Sequence, residues 1–395
     1  MRILYVTPLW NGLRDIIING NKEAFGMPAF LHPLLKLKEK KIVVDLLIGA
    51  DKESAAETVC TSVVTTGEVK IVRFNSSGNF ERLRSILRMS KSIIKQIKSN
   101  KYDFIYAQGS LGSIAVFWAN LFRIPVGQRL YGTFMFYDLK KDGVLKSMIK
   151  HPLEYFAFKA KKDFLLITND GTKGDEVSKI IAPNPKYQLN FWFNGISFPT
   201  ISINEETQTT NLFYPARISP WKRQHLAVEL LSIINKKIDK PINLIFSGHI
   251  DDEEYYNSIL ELSENLGVRE NVSYAGLLGK NELLNYYTNS LATLMMYDFS
   301  NLGNVFIESF CAGAVVVSLD ENSSLSEFIT DDSYGFNGKN ISSMAAYILN
   351  IINNKELKRE IRANAQEKAK EIFLTWDARS EKEIMLINNS IIKEK

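Results

Sequence analysis

The chain has 395 residues, of which 45% are hydrophobic and 23% charged, with a formal net charge of +4. This is the composition of a folded soluble protein, which excludes a disordered chain, and the length exceeds one ordinary core, so two domains are expected. Two cysteines, Cys60 and Cys311, and four scattered histidines exclude a disulfide framework, a thiolate metal cluster and a paired-histidine metal site.

The charge is unevenly spread. Residues 1–190 hold 29 Lys/Arg against 17 Asp/Glu, and the remainder holds 19 against 27, giving halves of +12 and −8. A basic first half suits an acidic partner such as an anionic membrane surface or a lipid-linked pyrophosphate, with nucleic acid a distant third; a merely solvated basic face fits equally well. No apolar run reaches the roughly 20 residues of a membrane span, and the start "MRILYVTPLW" lacks the parts of a signal peptide. A cytoplasmic protein, peripheral at the inner face of the membrane, is expected.

In chain order, strand-like runs occur at 2–7, 42–48, 69–74, 102–108, 124–131 and 163–168, with helix-like patterns at 28–41 and 81–100. The first of these helices has Pro28 near its start, after Gly26. In the second, Leu83, Ile86, Leu87, Ile94 and Ile97 gather on one side and are expected to pack on the sheet. Much of its basic set is expected to face elsewhere and, with a second basic run at 139–162 that mixes Lys with apolar residues, to hold the first domain on an anionic membrane, a solvated basic face being the alternative. Residues 194–210, "NGISFPTISINEETQTT", read as a linker. Strand-like runs then resume at 211–216, 241–248, 271–276, 291–297 and 314–319, followed by a charged helix at 355–373 and a segment, 374–395, suited to pack back on the body. Strands alternating with helices imply two Rossmann-like α/β domains with parallel sheets, 1–193 and 211–373, facing a central cleft.

The sharpest chemical signals lie in the second domain. "SNLGNVFIESFCAGAVVVSL" (300–319) reads as loop, helix and dry strand, which leaves free backbone N–H groups and the positive end of a helix dipole at Gly303, Asn304 and Val305. Arg217 and Lys222 flank a Ser-Pro turn at another strand end. Two fixed cations facing a helix tip would clamp a diphosphate and stabilise it as a leaving group. Glu308, one turn into the helix, can accept two adjacent hydroxyls. As a structural acid it would need a paired cation, and its flanks offer none.

Arg217-x4-Lys222 after a strand, strands closing at Gly248 and Gly276, and the 300–319 stretch together resemble the GT-B retaining glycosyltransferases of family 4 (glycosyl transferases group 1). The resemblance covers most of the chain and is specific from Asn194 to about Gly335. It implies that Arg217 and Lys222 hold the donor diphosphate and that Glu308 grips the ribose of a nucleotide sugar. Ser300, Asn301, Leu302, Gly303, Asn304, Val305, Gly248 and Leu277 would line the donor site, and Gly26, Tyr131 and Asp298 would be candidate sugar or acceptor contacts. It further implies a hexosyl transfer that retains anomeric configuration, with the nucleotide diphosphate sugar as co-substrate, no cofactor, and a glycan or lipid-linked glycan acceptor in surface polysaccharide assembly.

Two departures stand out. The family's Glu-x7-Glu motif has Ser300 at its first position; either Ser300 and Asn301 replace that acid or Asp298 reaches in. Where the family often carries a His before a Gly, "RLYGT" offers Tyr131, a sugar contact or a buried aromatic. No Asp-x-Asp occurs and "DDEEYY" (251–256) reads as the acidic first turn of a solvated helix, so no metal is expected. The departures leave open a GT-B-shaped nucleotide-sugar binding subunit with impaired catalysis. An epimerase would need further acid-base residues, and no Gly-x-Gly-x-x-Gly supports a dinucleotide oxidoreductase.

Overall fold

Alternation of dry strands with amphipathic helices lets each connection cross over a sheet face, so the strands pair in parallel. The structure, a computed structural model, describes residues 1–19, 28–54, 64–75, 78–199, 210–298, 302–319, 324–326 and 328–393. The chain forms two compact units. One comprises Met1–Asn169, Lys173–Gly195 and Trp376–Lys395, the other Asp170–Thr172 and Ile196–Thr375.

The first unit runs β1 (Arg2–Pro8), α1 (Asn11–Ile17), α2 (Pro28–Glu39), β2 (Val43–Ala50), β3 (Val69–Arg73), α3 (Asn79–Ser99), β4 (Phe104–Gln108), α4 (Ser113–Phe122), β5 (Val126–Leu130), α5 (Met135–Lys150), α6 (Pro152–Lys159), β6 (Phe164–Thr168), α7 (Gly174–Ile181) and β7 (Gln188–Trp192). Among the described residues these strands form one parallel sheet in the order β3-β2-β1-β4-β5-β6-β7. The strand order reverses at β1, where Ile3 lies beside Val44 on one flank and Phe104 on the other. Such a reversal opens a crevice beyond the carboxyl ends of the two central strands.

The second unit continues with β8 (Asn211–Pro215), α8 (Gln224–Asn235), β9 (Asn243–Ser247), α9 (Glu253–Asn265), β10 (Val272–Tyr274), α10 (Lys280–Asn289), β11 (Ala292–Met295), α11 (Asn304–Cys311), β12 (Val316–Leu319), β13 (Phe336–Gly338), α12 (Ile341–Asn353) and α13 (Lys355–Ile372). Its sheet is again parallel, in the order β10-β9-β8-β11-β12-β13. Leu212, Tyr214, Leu244, Phe246 and Leu294 are fully buried between the helices, which explains the continuous apolar runs of this half.

The last helix, α14 (Trp376–Lys393), belongs to the first unit and packs beside α2, where Lys36 Nζ lies 2.6 Å from Asp377 Oδ1. Its Glu383 is wholly buried and accepts from Arg129 at 2.8 Å, Arg379 at 3.0 Å and the Tyr106 hydroxyl at 2.5 Å. A buried carboxylate persists only when its lone pairs are so engaged.

The inward face of α3 matches the sequence expectation in part: Ile86 and Ile97 pack against the buried cluster, but the centre of the face is shifted. Ser85, Met89 and Ile93 are buried, whereas Leu83 and Leu87 are 55% and 54% exposed. The helix carries two apolar stripes more than about 100° apart, and the sheet receives the one centred on Met89. Among the described residues no helix is long and apolar enough to cross a membrane.

Candidate active site

The loops that follow β8 and β9 run side by side at the carboxyl edge of the second sheet. Ala216 N–H donates to Ser247 O at 2.8 Å, Ile218 N–H to His249 O at 2.8 Å, and Asp251 N–H to Ile218 O at 3.1 Å. Gly248 permits this approach. Its φ is +138°, and a Cβ there would lie 2.3 Å from the Ala216 carbonyl oxygen. Arg217 is thereby held at the rim, its carbonyl accepting from Gln224 Nε2 at 2.8 Å and its guanidinium 2.9 Å from Asp251. Asp251 is therefore a partner of Arg217, while Asp252, also in the acidic run, caps α9 by accepting from Tyr255 N–H at 2.9 Å.

Pro220–Lys222 form one 3-10 turn before α8. The turn is tied to the end of β11: the Tyr214 hydroxyl donates to the Lys222 carbonyl and accepts from Met296 N–H, the Tyr297 hydroxyl donates to Pro215 O, and Asp298 N–H donates to Trp221 O. These bonds place the Lys222 ammonium 3.9 Å from the centre of the Trp221 ring and 3.5 Å from that of Tyr297. Burial, aided by the nearby Arg217 charge and opposed by Asp170, lowers the Lys222 pKa to about 7. The two rings attract the cation but do not replace its hydration.

The α11 tip stands after the next strand of the same sheet. Gly303 occupies the N-cap of the helix with an extended backbone, and among the described residues no side-chain cap hydrogen bond is made there. Leu302 is buried and its N–H donates to Asp170 O at 3.1 Å, while Ser324 Oγ donates to Gly171 O at 2.8 Å. The short segment Asp170–Thr172 thus braces the loop that leads into α11. Phe306 and Phe310, one turn apart, pack with Phe328 at ring separations of 4.9 and 5.4 Å. Burying that side of α11 turns Glu308, two residues from each, the other way. The Glu308 carboxyl forms no hydrogen bond among the described residues, and burial, opposed by Lys280, raises its pKa to about 7.

The second unit thus brings together Arg217, Lys222 and Gly248 at one loop pair, and Leu302, Gly303, Asn304, Val305 and Glu308 around one helix tip. Leu277 is exposed, just beyond Gly276, whose carbonyl accepts from Gly248 N–H at 3.0 Å. Asp298 is ion-paired with Arg223 at 3.3 Å. Ser300, Asn301 and Gly26 lie outside the described residues. The aromatic seat of Lys222 escaped sequence reasoning, although Trp221 adjoins the lysine and Tyr297 closes a strand-like run; nothing in their spacing shows that the two rings meet.

In the first unit, Tyr131 follows β5 and its hydroxyl donates to Gln108 Oε1 at 2.7 Å. Its ring meets Trp10 edge-on at 5.6 Å and lies 4.8 Å from the Arg129 guanidinium. Trp10 Nε1 and Gln108 Nε2 are buried donors without a partner among the described residues, beside the crevice where the strand order reverses. A cavity of about 120 Å³ lies elsewhere in this unit, lined by Phe74, Arg82, Ser110, Leu111, Leu153, His151 and Glu154. Asp138 Oδ2 sits 2.6 Å from His151 Nε2, and the Thr133 hydroxyl donates to Glu154.

Residues 201–368 match the family described as glycosyl transferases group 1. A capsular polysaccharide biosynthesis glycosyltransferase, CapH of Staphylococcus aureus, is 24% identical over 144 residues; this alignment covers 36% of the present chain and 40% of that relative. Among solved structures, Anabaena Alr3699/HepE in complex with UDP matches with a TM-score of 0.70 at 14% identity, covering 98% of this chain and 100% of that one. The same protein has been solved with UDP-glucose, matching at a TM-score of 0.66 and 15% identity over 100% and 99% of the two chains. Sucrose-phosphate synthase from Thermosynechococcus elongatus matches with a TM-score of 0.73 at 13% identity over 98% of both chains. The two Rossmann-like units are those of the GT-B glycosyltransferase fold.

Proposed function

We propose that this chain, whose second unit carries a glycosyl transferases group 1 domain, moves a hexosyl group from a nucleotide diphosphate sugar to a glycan or lipid-linked glycan acceptor. The observation that carries the reading is Lys222, a largely buried cation with no acidic ion-pair partner among the described residues, which shares its loop with Arg217. A desolvated lysine beside a second cation is destabilised until an anion arrives. A diphosphate supplies that anion, and the N–H groups at the α11 tip add donors for it.

In this reading Arg217 and Lys222 hold the diphosphate and stabilise the charge that develops as the bond from the anomeric carbon to the leaving oxygen breaks. Glu308 accepts the two ribose hydroxyls. The acceptor oxygen attacks on the face the leaving group vacates, its proton passes to a donor phosphate oxygen, and configuration is retained. Fixed cations meet the charge demand, so the transfer proceeds without a divalent metal. Tyr131, locked by Gln108, and the Trp10 and Gln108 donors, which have no partner among the described residues, suit recognition of sugar oxygens on the first unit. The HepE complexes make UDP and UDP-glucose the first ligands to try, and the CapH likeness favours surface polysaccharide assembly as the setting.

The test is a thermal-shift series with UDP, GDP and ADP and their sugars, followed by transfer to a panel of lipid-linked and free glycans. A nucleotide-specific rise in melting temperature with transfer supports the reading. The same rise without transfer or donor hydrolysis favours the sugar-binding subunit, and no rise with any nucleotide overturns the donor site.

A further inference from the structure

The first unit exposes large apolar side chains on one side of its sheet, and they alternate with cations. Ala107, Gln128 and Leu165 are in register across β4, β5 and β6 and therefore point to the same face. Ala107 packs with Met89 of α3 and Val116 of α4, and Leu165 packs with Met135 and Leu139 of α5. These three helices thus cover a common face of the sheet. Their outer sides are not hydrophilic: Phe80, Leu83 and Leu87 of α3, and Phe117 and Leu121 of α4, are each more than half exposed. Beyond a break in α5 at Gly143, where φ is +74°, Leu145 and Ile149 are exposed to a similar degree.

On α3 the exposed apolar residues fall at i, i+3 and i+7, forming a stripe separate from the one that packs on the sheet. Arg84, Lys91 and Lys95 lie beside that stripe and are exposed, and the Arg84 guanidinium is 4.2 Å from the centre of the Phe80 ring. The helix has six Arg/Lys against one acid, Glu81, which is engaged by Arg88 at 2.9 Å. On α5, Lys140, Lys141 and Lys146 are exposed among the apolar residues.

We propose that this face, formed by the outer sides of α3, α4 and α5, docks on a bilayer containing anionic phospholipid, with Phe80, Leu83 and Leu87 entering the headgroup boundary. It extends the reading of a lipid-linked acceptor, but the chemistry stands apart from sugar transfer. A protein interface disfavours unpaired lysines among its buried apolar groups, because each must lose its water. At a lipid surface the apolar side chains reach the acyl boundary while the cations remain in the hydrated, negatively charged headgroup layer. Charge complementarity therefore selects a membrane over a second protein chain.

The experiment is flotation of the full chain with phosphatidylcholine vesicles, with and without phosphatidylglycerol, at low and high salt. The triple variants F80S/L83S/L87S and R84S/K91S/K95S are compared, all residues being exposed, and melting curves and UDP binding are followed in parallel. Flotation that requires phosphatidylglycerol, weakens with salt and falls about tenfold or more in each variant, with melting unchanged, is expected. Absence of flotation at low salt overturns the proposal, as does flotation indifferent to F80S/L83S/L87S. A concentration-dependent dimer abolished by that variant, without vesicle binding, assigns the face to a second copy of the chain and also overturns it. Because vesicle binding is read without any sugar transfer, its failure is distinguishable from failure of the donor site, which would appear as lost UDP binding.

Discussion

The Lys222 ammonium lies 3.5 Å from the centre of the Tyr297 ring. A ring face is a weak substitute for water or a carboxylate, so the ammonium loses its proton more readily than a free lysine, near pH 7. In the proposed reading the counter-ion that restores the charge is the donor diphosphate.

Lys222→Met is expected to lose transfer by about 10²–10³ while raising stability near neutral pH. The folded pKa, about 7, is depressed below the ordinary lysine value of 10.5. The unfolded chain therefore binds the extra proton between those values, and wild-type stability rises with pH across that window. Below it the penalty is complete. The variant should melt above the wild type at about pH 6 and converge with it near about pH 10; a variant that melts lower at about pH 6 would contradict the burial argument.

Glu308→Gln has the opposite pH signature. The folded carboxyl pKa, about 7, lies above its ordinary 4.5. Wild-type stability falls as pH rises from 4.5 to about 7, and the full cost remains above that. The glutamine variant is expected to gain on the order of 1–3 kcal/mol relative to wild type above neutrality and little near the lower end. Transfer should fall by about 10²–10³. Denaturant titrations on both sides of neutrality measure the first effect, and turnover the second.

Nucleotide affinity is expected to peak near neutral pH. A diphosphate favours the charged form of Lys222, so affinity falls as pH rises above about 7. Two ribose hydroxyls favour ionised Glu308, so affinity falls as pH drops below about 7. Calorimetry with UDP should show the alkaline limb alone in Glu308→Gln and the acid limb alone in Lys222→Met. A flat profile in the wild type would remove both residues from the nucleotide site.

Gly248→Ala tests whether the paired loops carry Arg217. The added Cβ meets the Ala216 carbonyl at 2.3 Å on a backbone at φ +138°, so a loss of about 1–3 kcal/mol in stability is expected together with weakened nucleotide binding. Asp251→Asn should change stability by less than about 1 kcal/mol, since its pair with Arg217 is at the surface. If both variants bind UDP like the wild type, Arg217 does not depend on this loop geometry.

Retained turnover in EDTA is the expected consequence of charge supplied by Arg217 and Lys222. Complete loss, restored by Mg²⁺ or Mn²⁺, would assign part of that charge to a metal.

The sequence alone determined the alternation of strands and helices, because apolar runs of strand length and 3.6-residue periods are local properties. It also determined the glycine-led helix tip with Glu308 one turn inside, and the Arg217 and Lys222 pair beside a Ser-Pro turn. The edge strands β7 and β13 escaped it: Gln188–Trp192 mixes polar and apolar residues, and Phe336–Gly338 is only three residues long. Such segments become strands because a neighbouring strand offers an unpaired edge. Helix α3 is the clearest divergence. Its sequence holds two apolar stripes, and only contact with the sheet decided that Met89 and Ile93 go inward while Leu83 and Leu87 face out. The environment of Lys222 was decided in the same way, since Trp221 and Tyr297 meet around it only when the turn after β8 is bonded to the end of β11. A side chain's type is written in the sequence; its burial, and with it the free energy of its charge, depends on residues brought close by the fold.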